Sequence, residues 1–288
     1  ILVAEKMIVG RNSFFAESCE IICRSADINE GFFCEHNVII GGGGGATGPH
    51  SKLQIGRYVH IGEFSVLNTA RPLKIGNEAG IGAHVMLYTH GMWPPILEGY
   101  PVSFGEINIG DKAWITGRNI VLPGTNIGAG AVVAMGSVVN NDLPDRCLAG
   151  GVPVKVLKEN LFGQKLSEDK TNDIISKILK RYVSELKFKE IEAEFNEIDD
   201  NILIQTNEFE IGYTPIKNHD KEKDIFNYSH RIIILNWGDK KYDTASYGEL
   251  TIFNLKSMEI SGCIDKYSED LRDFLRRNID VIFVHVKS

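Results

Sequence analysis

The sequence lacks the features that mark membrane, secreted or nucleic-acid-binding proteins. It has no apolar run of about 18 residues, the length that a membrane-spanning helix needs, and no recognisable signal peptide. Its five cysteines are an odd number without a CxxC pair, which favours reduced thiols over a disulfide framework. The net charge of −7 argues against a polyanionic partner such as nucleic acid. We therefore expect a cytoplasmic protein with no integral membrane segment and no nucleic-acid partner.

What the sequence does contain is a six-residue repeat between residues 55 and 144. Six residues is neither the period of an α-helix nor the alternation of a half-buried strand, and it is typical of a parallel β-helix. Three hexads make one triangular coil, and the Gly, Asn or Asp that often follows the aliphatic residue turns a corner, sometimes with positive φ. A Gly-rich β-sandwich is the alternative, but its turns recur at about 8–12 residues. The repeated positions are Ile55, Ile61, Leu67, Ile75, Ile81, Leu87, Ile109, Ile115, Val121, Ile127, Val133 and Val139.

The flanking segments have different patterns. The spacing of Ile22, Ile28, Cys34 and Ile40 predicts an irregular cap and first coils over residues 1–54, with Cys34 in the core. We predict a β-helix domain over residues 1–160 and a small α+β module over residues 161–288. In the module, apolar residues at helical spacing follow a Ser167 cap, and a second helix is predicted over 268–277 with Ser268 as its cap. Strands are predicted at 202–206, 209–214, 231–237, 250–255 and 281–286.

The hexads are interrupted once by a long insertion. The step from Leu87 to Ile109 is 22 residues, and His90 stands at the root of the inserted loop. Catalytic residues are often held on loops that a rigid scaffold positions. A neutral imidazole can take a proton from a hydroxyl or an amine at pH 7, which typically accelerates a reaction by about 10²- to 10⁴-fold. From spacing alone, His90 could equally be a histidine that closes a turn.

The motifs on either side of this loop are specific. They are His90 with its aromatic loop, Ile109-Gly-Asp-Lys-Ala-Trp-Ile115, Pro123-Gly124, Ile127-Gly-Ala-Gly130, Gly136-Ser137 and Ala149-Gly-Gly-Val-Pro-Val-Lys155. Residues 55–160 thereby resemble the hexapeptide-repeat acyltransferases, especially the sugar O-acetyltransferases of the galactoside, maltose and polysaccharide type. The resemblance implies a homotrimer with active sites between neighbouring prisms, acetyl-CoA as cosubstrate and no metal. The expected fold class is mainly β, a left-handed parallel β-helix with an additional C-terminal α+β module.

The resemblance also implies roles for individual residues. His90 would be the general base, and the Gly117 N–H would stabilise the oxyanion. The residues expected to contact acetyl-CoA are Trp114, Ala134, Gly136, Ser137, Lys155 and Lys158. Those expected at the acceptor are Asn68, Trp93 and Tyr100, although the two aromatic residues could instead pack on a neighbouring subunit. Glu98 or Glu106 could orient His90.

Two departures from the family pattern are visible. Asn140-Asn141-Asp142 stands where the family commonly has Thr-Lys-Asp, so one expected cation is missing, and short galactoside-type enzymes lack the C-terminal module. The predicted function is direct acetyl transfer from acetyl-CoA to a hydroxyl of a sugar or surface polysaccharide. One alternative is an N-acetyltransferase of an amino-sugar nucleotide. Another is a carbonic-anhydrase-like zinc enzyme on His60, His84 and His90, whose spacing departs from that family. A third is a non-catalytic scaffold.

Overall fold

The computed structural model describes residues 1–43, 45, 47–92, 94–164, 166–198, 201–215, 231–236, 249–255, 257–279 and 284–285. The chain divides into two compact units, Ile1–Gln164 and Lys165–Ser288. None of the described helices is both long enough and apolar enough to span a membrane.

The first unit contains three sheets, and the chain adds a strand to each of them in turn as it winds. Sheet A contains β1 (Leu2–Val3), β4 (Glu20–Ile22), β7 (Ile39–Gly41), β10 (Val66–Leu67), β13 (Met86–Leu87), β18 (Ile120–Val121) and β21 (Val138–Val139). Sheet B contains β2 (Lys6–Val9), β5 (Ser25–Ile28), β8 (Lys52–Ile55), β11 (Leu73–Ile75), β16 (Ile107–Ile109) and β19 (Asn126–Ile127). Sheet C contains β3 (Phe14–Phe15), β6 (Phe33–Cys34), β9 (His60–Ile61), β12 (Gly80–Ile81), β17 (Trp114–Ile115), β20 (Val132–Val133), β22 (Leu148–Gly150) and β23 (Lys155–Lys158). Neighbouring strands are parallel except β22 and β23, so each sheet is one face of a prism.

The core of this prism is formed by the repeated aliphatic residues. All twelve are buried, with at most 3% of their surface exposed. Within each sheet they stack coil upon coil, as Ile61, Ile81, Ile115 and Val133 do in sheet C. Burying a side chain of this size contributes roughly 1.5–3 kcal/mol, so the stack is the main source of stability. Cys34 is fully buried as predicted, and its burial raises the pKa of its thiol. All five cysteines are free thiols.

The first coils depart from the predicted register by one residue. Ile21, not Ile22, pairs with Ile40 and is buried, whereas Ile22 is only half-buried. The step from Ile21 to Ile28 is seven residues, so the six-residue step does not extend to this coil. A slip of one residue turns a strand side chain to the opposite face, which explains the error.

The corners also differ from expectation. The left-handed backbone falls three residues after the core residue, at Tyr58 and Phe64 for example, rather than at the glycine that follows it. The glycine is required by close approach instead, because a Cβ at Gly62 would lie 2.5 Å from the backbone nitrogen of Ala83 on the next coil.

The second unit contains one seven-stranded mixed sheet and two helices. Its strands are β24 (Ala193–Ile198), β25 (Asn201–Thr206), β26 (Phe209–Thr214), β27 (Arg231–Asn236), β28 (Leu250–Asn254), β29 (Glu259–Gly262) and β30 (Val284–His285). Strands β26 to β28 are parallel, and β24 and β29 were not predicted. Parts of the predicted strands 231–237 and 281–286 lie outside the described residues. With the prism, this unit confirms the predicted fold class.

The two helices of this unit begin differently from each other. Helix α1 (Glu168–Phe188) has Ser167 as its cap, as predicted. Helix α2 (Lys266–Ile279) begins two residues earlier than predicted, and its cap is Asp265 rather than Ser268. The Asp265 carboxylate accepts a hydrogen bond from the Ser268 N–H at 2.9 Å, while the Ser268 hydroxyl accepts one from the Asp265 N–H at 2.8 Å. This reciprocal pair is a capping box, so Ser268 occupies its third helical position.

Candidate active site

His90 is held at the corner where the chain leaves sheet A toward sheet B. It follows β13, and Asn68 follows β10 one coil earlier at the same corner. The Asn68 side chain is buried beneath the imidazole, with its Oδ1 at 2.9 Å from His90 Nδ1. The hydroxyl of Thr89 lies 2.6 Å from the same oxygen, and the Ala70 N–H donates to it at 3.1 Å.

This arrangement determines which nitrogen of His90 is basic. The Ala70 N–H can only donate, so the Asn68 side chain must present its oxygen and not its NH₂ group. An amide oxygen can only accept, so Nδ1 of a neutral His90 carries the proton. The lone pair is therefore on Nε2, which is the requirement for a general base. Asn68 makes this contact, rather than Glu98 or Glu106, and Glu106 accepts a hydrogen bond from Asn108 at 3.2 Å instead.

The inserted loop forms an arm over this corner. Strand β14 (His90–Gly91) pairs antiparallel with β15 (Ser103–Phe104), and a short 3₁₀ helix lies between them at Ile96–Glu98. The Phe104 ring stacks on the His90 imidazole, with the ring centres 5.8 Å apart. Tyr100 is exposed on the same arm, and Trp93 lies outside the described residues.

Four of the residues predicted to contact acetyl-CoA and the predicted oxyanion donor meet on a different edge, where sheet C turns into sheet A. Trp114 stands in sheet C with 54% of its surface exposed, and Gly117 lies in the corner that follows. Ala134 and Gly136 occupy the same corner one coil later. In the part of the chain that the structure describes, no acceptor pairs with the Gly117 N–H. This corner therefore offers a free donor beside small residues.

Ser137 belongs to the same corner but faces inward. It is 1% exposed, its hydroxyl donates to the Ala134 carbonyl at 2.7 Å, and it accepts from the Gly151 N–H at 2.9 Å. Its own N–H donates to Asn119 Oδ1 at 2.7 Å. Because both hydrogen-bonding capacities of the hydroxyl are used within the chain, Ser137 fixes the shape of the corner.

Lys155 and Lys158 lie at the end of sheet C. Both are on β23, which pairs antiparallel with β22, and both are exposed. No carboxylate among the described residues lies within 4.0 Å of either amine. They are two cations available to a phosphate at the end of the edge that carries Trp114.

The predicted site residues thus form two groups on two edges of one prism. His90, Asn68 and the arm occupy the edge between sheets A and B, whereas Trp114, Gly117 and the lysines occupy sheet C and its edge with sheet A. The width of sheet A lies between them. One chain therefore does not bring the two groups together.

The other two histidines of the zinc alternative, His60 and His84, lie elsewhere on the prism. His60 pairs with Glu35 at 2.9 Å on sheet C, and the His84 ring stacks on Phe64 with ring centres 5.1 Å apart. Within the described ranges, no three His, Cys, Asp or Glu side chains are grouped so that they could hold a metal ion.

Comparison with known proteins supports one family. No family model matches the chain. A Saccharomyces cerevisiae protein named "Putative acetyltransferase YJL218W" is 34% identical over 114 residues, which are 38% of this chain and 57% of that protein. The Escherichia coli K12 protein named "Putative lipopolysaccharide biosynthesis O-acetyl transferase WbbJ" is 30% identical over 128 residues, 41% of this chain and 62% of that protein. The chain resembles the hexapeptide-repeat acyltransferases.

The resemblance to this family is partial in extent. The chain spans 57% and 62% of the lengths of those two relatives. Among solved structures, a hexapeptide-repeat acetyltransferase from Vibrio cholerae, crystallised with acetyl coenzyme A, is 24% identical and covers 52% of this chain and 69% of its own, with a TM-score of 0.38.

Proposed function

We propose that this chain is an acetyl-CoA-dependent acetyltransferase that acetylates a hydroxyl of a sugar or polysaccharide, with His90 as the general base. The observation that carries the proposal is the 2.9 Å contact between Asn68 Oδ1 and His90 Nδ1, which leaves Nε2 free as a base. The names of the yeast and E. coli relatives support acetyl transfer, and the second supports an O-linked acceptor. We assign this activity to the β-helix domain, residues 1–160.

The chemistry follows from the two groups of residues. His90 Nε2 takes the proton of the acceptor hydroxyl while its oxygen attacks the thioester carbonyl. The Gly117 N–H donates to the oxygen that becomes negatively charged in the tetrahedral intermediate. The C–S bond then breaks, and His90 returns the proton to the leaving sulfur. One C–O bond replaces one C–S bond, and no other group is needed.

A complete site requires two chains, because His90 and Gly117 lie on different edges. We propose a homotrimer in which the His90 edge of one subunit faces the Gly117 edge of the next. Trp114, Ala134 and Gly136 would line the cleft beside the pantetheine arm, with Ser137 holding that corner in place. Lys155 and Lys158 would meet the CoA phosphates as exposed cations.

The acceptor would enter beneath the arm. Tyr100 is exposed there and offers an aromatic face to a sugar ring, a role that we also propose for Trp93. Asn68 is only 5% exposed, so its contribution to acceptor binding would come through the orientation of His90.

The experiment is replacement of the base. We expect His90→Ala to lower acetyl transfer at least about a hundredfold, because general-base help of that size is lost. Activity is measured by mass detection of acetylated products from a panel of sugars with acetyl-CoA. His36→Ala, which removes an exposed histidine on an earlier coil, is the control and should keep normal activity. Turnover close to wild type in a folded His90→Ala protein would contradict the assignment.

A further inference from the structure

Arg71 is a cation held beside the proposed base. It lies between the core residues Leu67 and Ile75, where the step is eight residues rather than six. Its guanidinium carbon is 4.3 Å from the centre of the Phe104 ring, the same ring that stacks on His90. Its Nη1 donates a hydrogen bond to the Ala70 carbonyl at 2.9 Å, and the backbone N–H of Arg71 donates to the Thr89 hydroxyl at 3.1 Å. Arg71 is therefore held by hydrogen bonds at both its backbone N–H and its guanidinium group.

The Arg71 head retains most of its hydrogen-bonding capacity. Stacking on an aromatic ring uses the face of a guanidinium and leaves the N–H groups in its plane available. Among the described residues no carboxylate lies within 4.0 Å of it, and the Ala70 carbonyl is its one hydrogen-bond acceptor. The side chain is half-buried, so an anion can still reach it from solvent.

Arg71 and His90 are close enough to act on one acceptor. The guanidinium carbon and the imidazole centre are no more than about 10 Å apart, which is the sum of their distances of 4.3 and 5.8 Å from the Phe104 centre. A hydroxyl at His90 and an anionic substituent on the same or the adjacent sugar unit fit within that separation.

We infer that Arg71 selects an acceptor carrying a carboxylate or phosphate group next to the hydroxyl that is acetylated. The inference rests on the proposed function, because it places the acceptor at His90. A planar guanidinium with free N–H groups suits the paired oxygens of either anion. If Arg71 served only to pack on Phe104, it would use the face of its guanidinium and would give no preference for charged sugars.

The test compares matched pairs of sugars. In two pairs, methyl glucuronide with methyl glucoside and methyl galacturonide with methyl galactoside, the first member carries a carboxylate and the second does not. In the third pair, glucose 6-phosphate carries a phosphate that glucose lacks. Binding to the full-length protein is measured by saturation-transfer NMR with each pair in competition. A charge-assisted hydrogen bond predicts that the wild type binds at least one charged member roughly 10- to 100-fold more tightly than its neutral twin. The carboxylate and phosphate pairs show which anion is preferred.

The variants separate recognition from folding. Arg71→Gln should abolish the preference, Arg71→Lys should keep part of it, and Lys74→Gln, which removes an exposed cation three residues away, should leave it unchanged. Thermal unfolding checks that each variant is folded. No charged preference in any pair for the wild type, or a preference that survives in Arg71→Gln, would overturn the inference. An Arg71-dependent preference without any acetylated product would instead count against the proposed function alone.

Discussion

At the scale of single residues, the candidate site depends on one amide oxygen. Asn68 Oδ1 lies within 3.1 Å of three donors, His90 Nδ1, the Thr89 hydroxyl and the Ala70 N–H. A side chain that is itself buried and hydrogen-bonded holds the imidazole more precisely than an exposed carboxylate on a loop would. The tautomer of His90 is thus set by the coil below it.

Asn68→Ala should therefore lower kcat at least about tenfold and leave the KM for acetyl-CoA unchanged, because the base loses its orientation. It should also lower the free energy of unfolding by about 1–3 kcal/mol, since the Ala70 N–H is left buried without an acceptor. Steady-state kinetics and denaturant unfolding measure the two effects. Asn68→Asp, which keeps an acceptor oxygen, should recover part of kcat. An unchanged kcat in folded Asn68→Ala would rule out the orienting role.

The sequence singled out His90 and Asn68 but did not predict the hydrogen bond between them. The interrupted repeat predicts a loop rooted at His90, because a break in a regular period is visible without a structure. The partner of His90 is 22 residues away, and only the stacking of coils brings Asn68 beneath it. Arg71 was missed for the same reason, although the eight-residue step from Leu67 to Ile75 that contains it is a signal visible in the sequence.

At the scale of elements, the size of the side chain that fits at a corner of the prism is limited by the backbone of the next coil. Gly62 has no room for a Cβ, which would lie 2.5 Å from the Ala83 nitrogen, whereas a Cβ at Gly80 would meet only the Trp114 ring edge at 3.4 Å. Gly62→Ala should cost about 1–3 kcal/mol through overpacking. Gly80→Ala, on the neighbouring coil, should cost much less. Equal thermal stabilities of the two variants would contradict this account of the corners.

The capping box of α2 provides an acid-sensitive element. Burial raises the pKa of the Asp265 carboxyl, but hydrogen bonds from Arg231 and Ser268 outweigh it and hold the pKa at about 2. Because this folded-state pKa lies below the unfolded value, the carboxylate stabilises the C-terminal unit at pH above about 4, and the contribution of about 2 kcal/mol is lost as the pH falls toward 2.

Asp265→Asn should remove this part of the acid sensitivity. The difference in unfolding free energy between about pH 5 and about pH 2.5, followed by helical circular dichroism, should be smaller by about 2 kcal/mol in the variant than in the wild type. Asp273→Asn, at an exposed position of the same helix, should behave like the wild type. Identical pH dependence in Asp265→Asn and wild type would show that the pair with Arg231 contributes nothing.

Elements with a strong period were predicted well. The hexads gave the core of the prism because each repeated residue has one inward direction, and α1 was found from its cap and its apolar face. Strand β29 was missed because only Ile260 in it is buried, so no apolar run marks it. Helix α2 began earlier than predicted because both Asp265 and Ser268 can cap, and only the hydrogen bonds between them show which of them does.

At the scale of the whole molecule, the two groups of site residues are separated by sheet A. The base, its amide partner and Arg71 lie on one edge, and the Gly117 donor and the two lysines lie on or beside another. In the proposed homotrimer neither edge acts alone, and every site is shared between two copies of the chain. Closed symmetry allows this, because each copy offers one edge to each neighbour.

Complementation between two inactive variants tests this claim most directly. His90→Ala disables one edge, and the double variant Trp114→Ala, Lys155→Ala disables the other. We predict that each is inactive alone and that oligomers refolded from an equal mixture regain acetyl transfer at about a quarter of the wild-type level, the share of clefts that random mixing makes intact. If the mixture stays as inactive as the separate variants while mixed oligomers form, the site is not shared between chains, and the account is wrong.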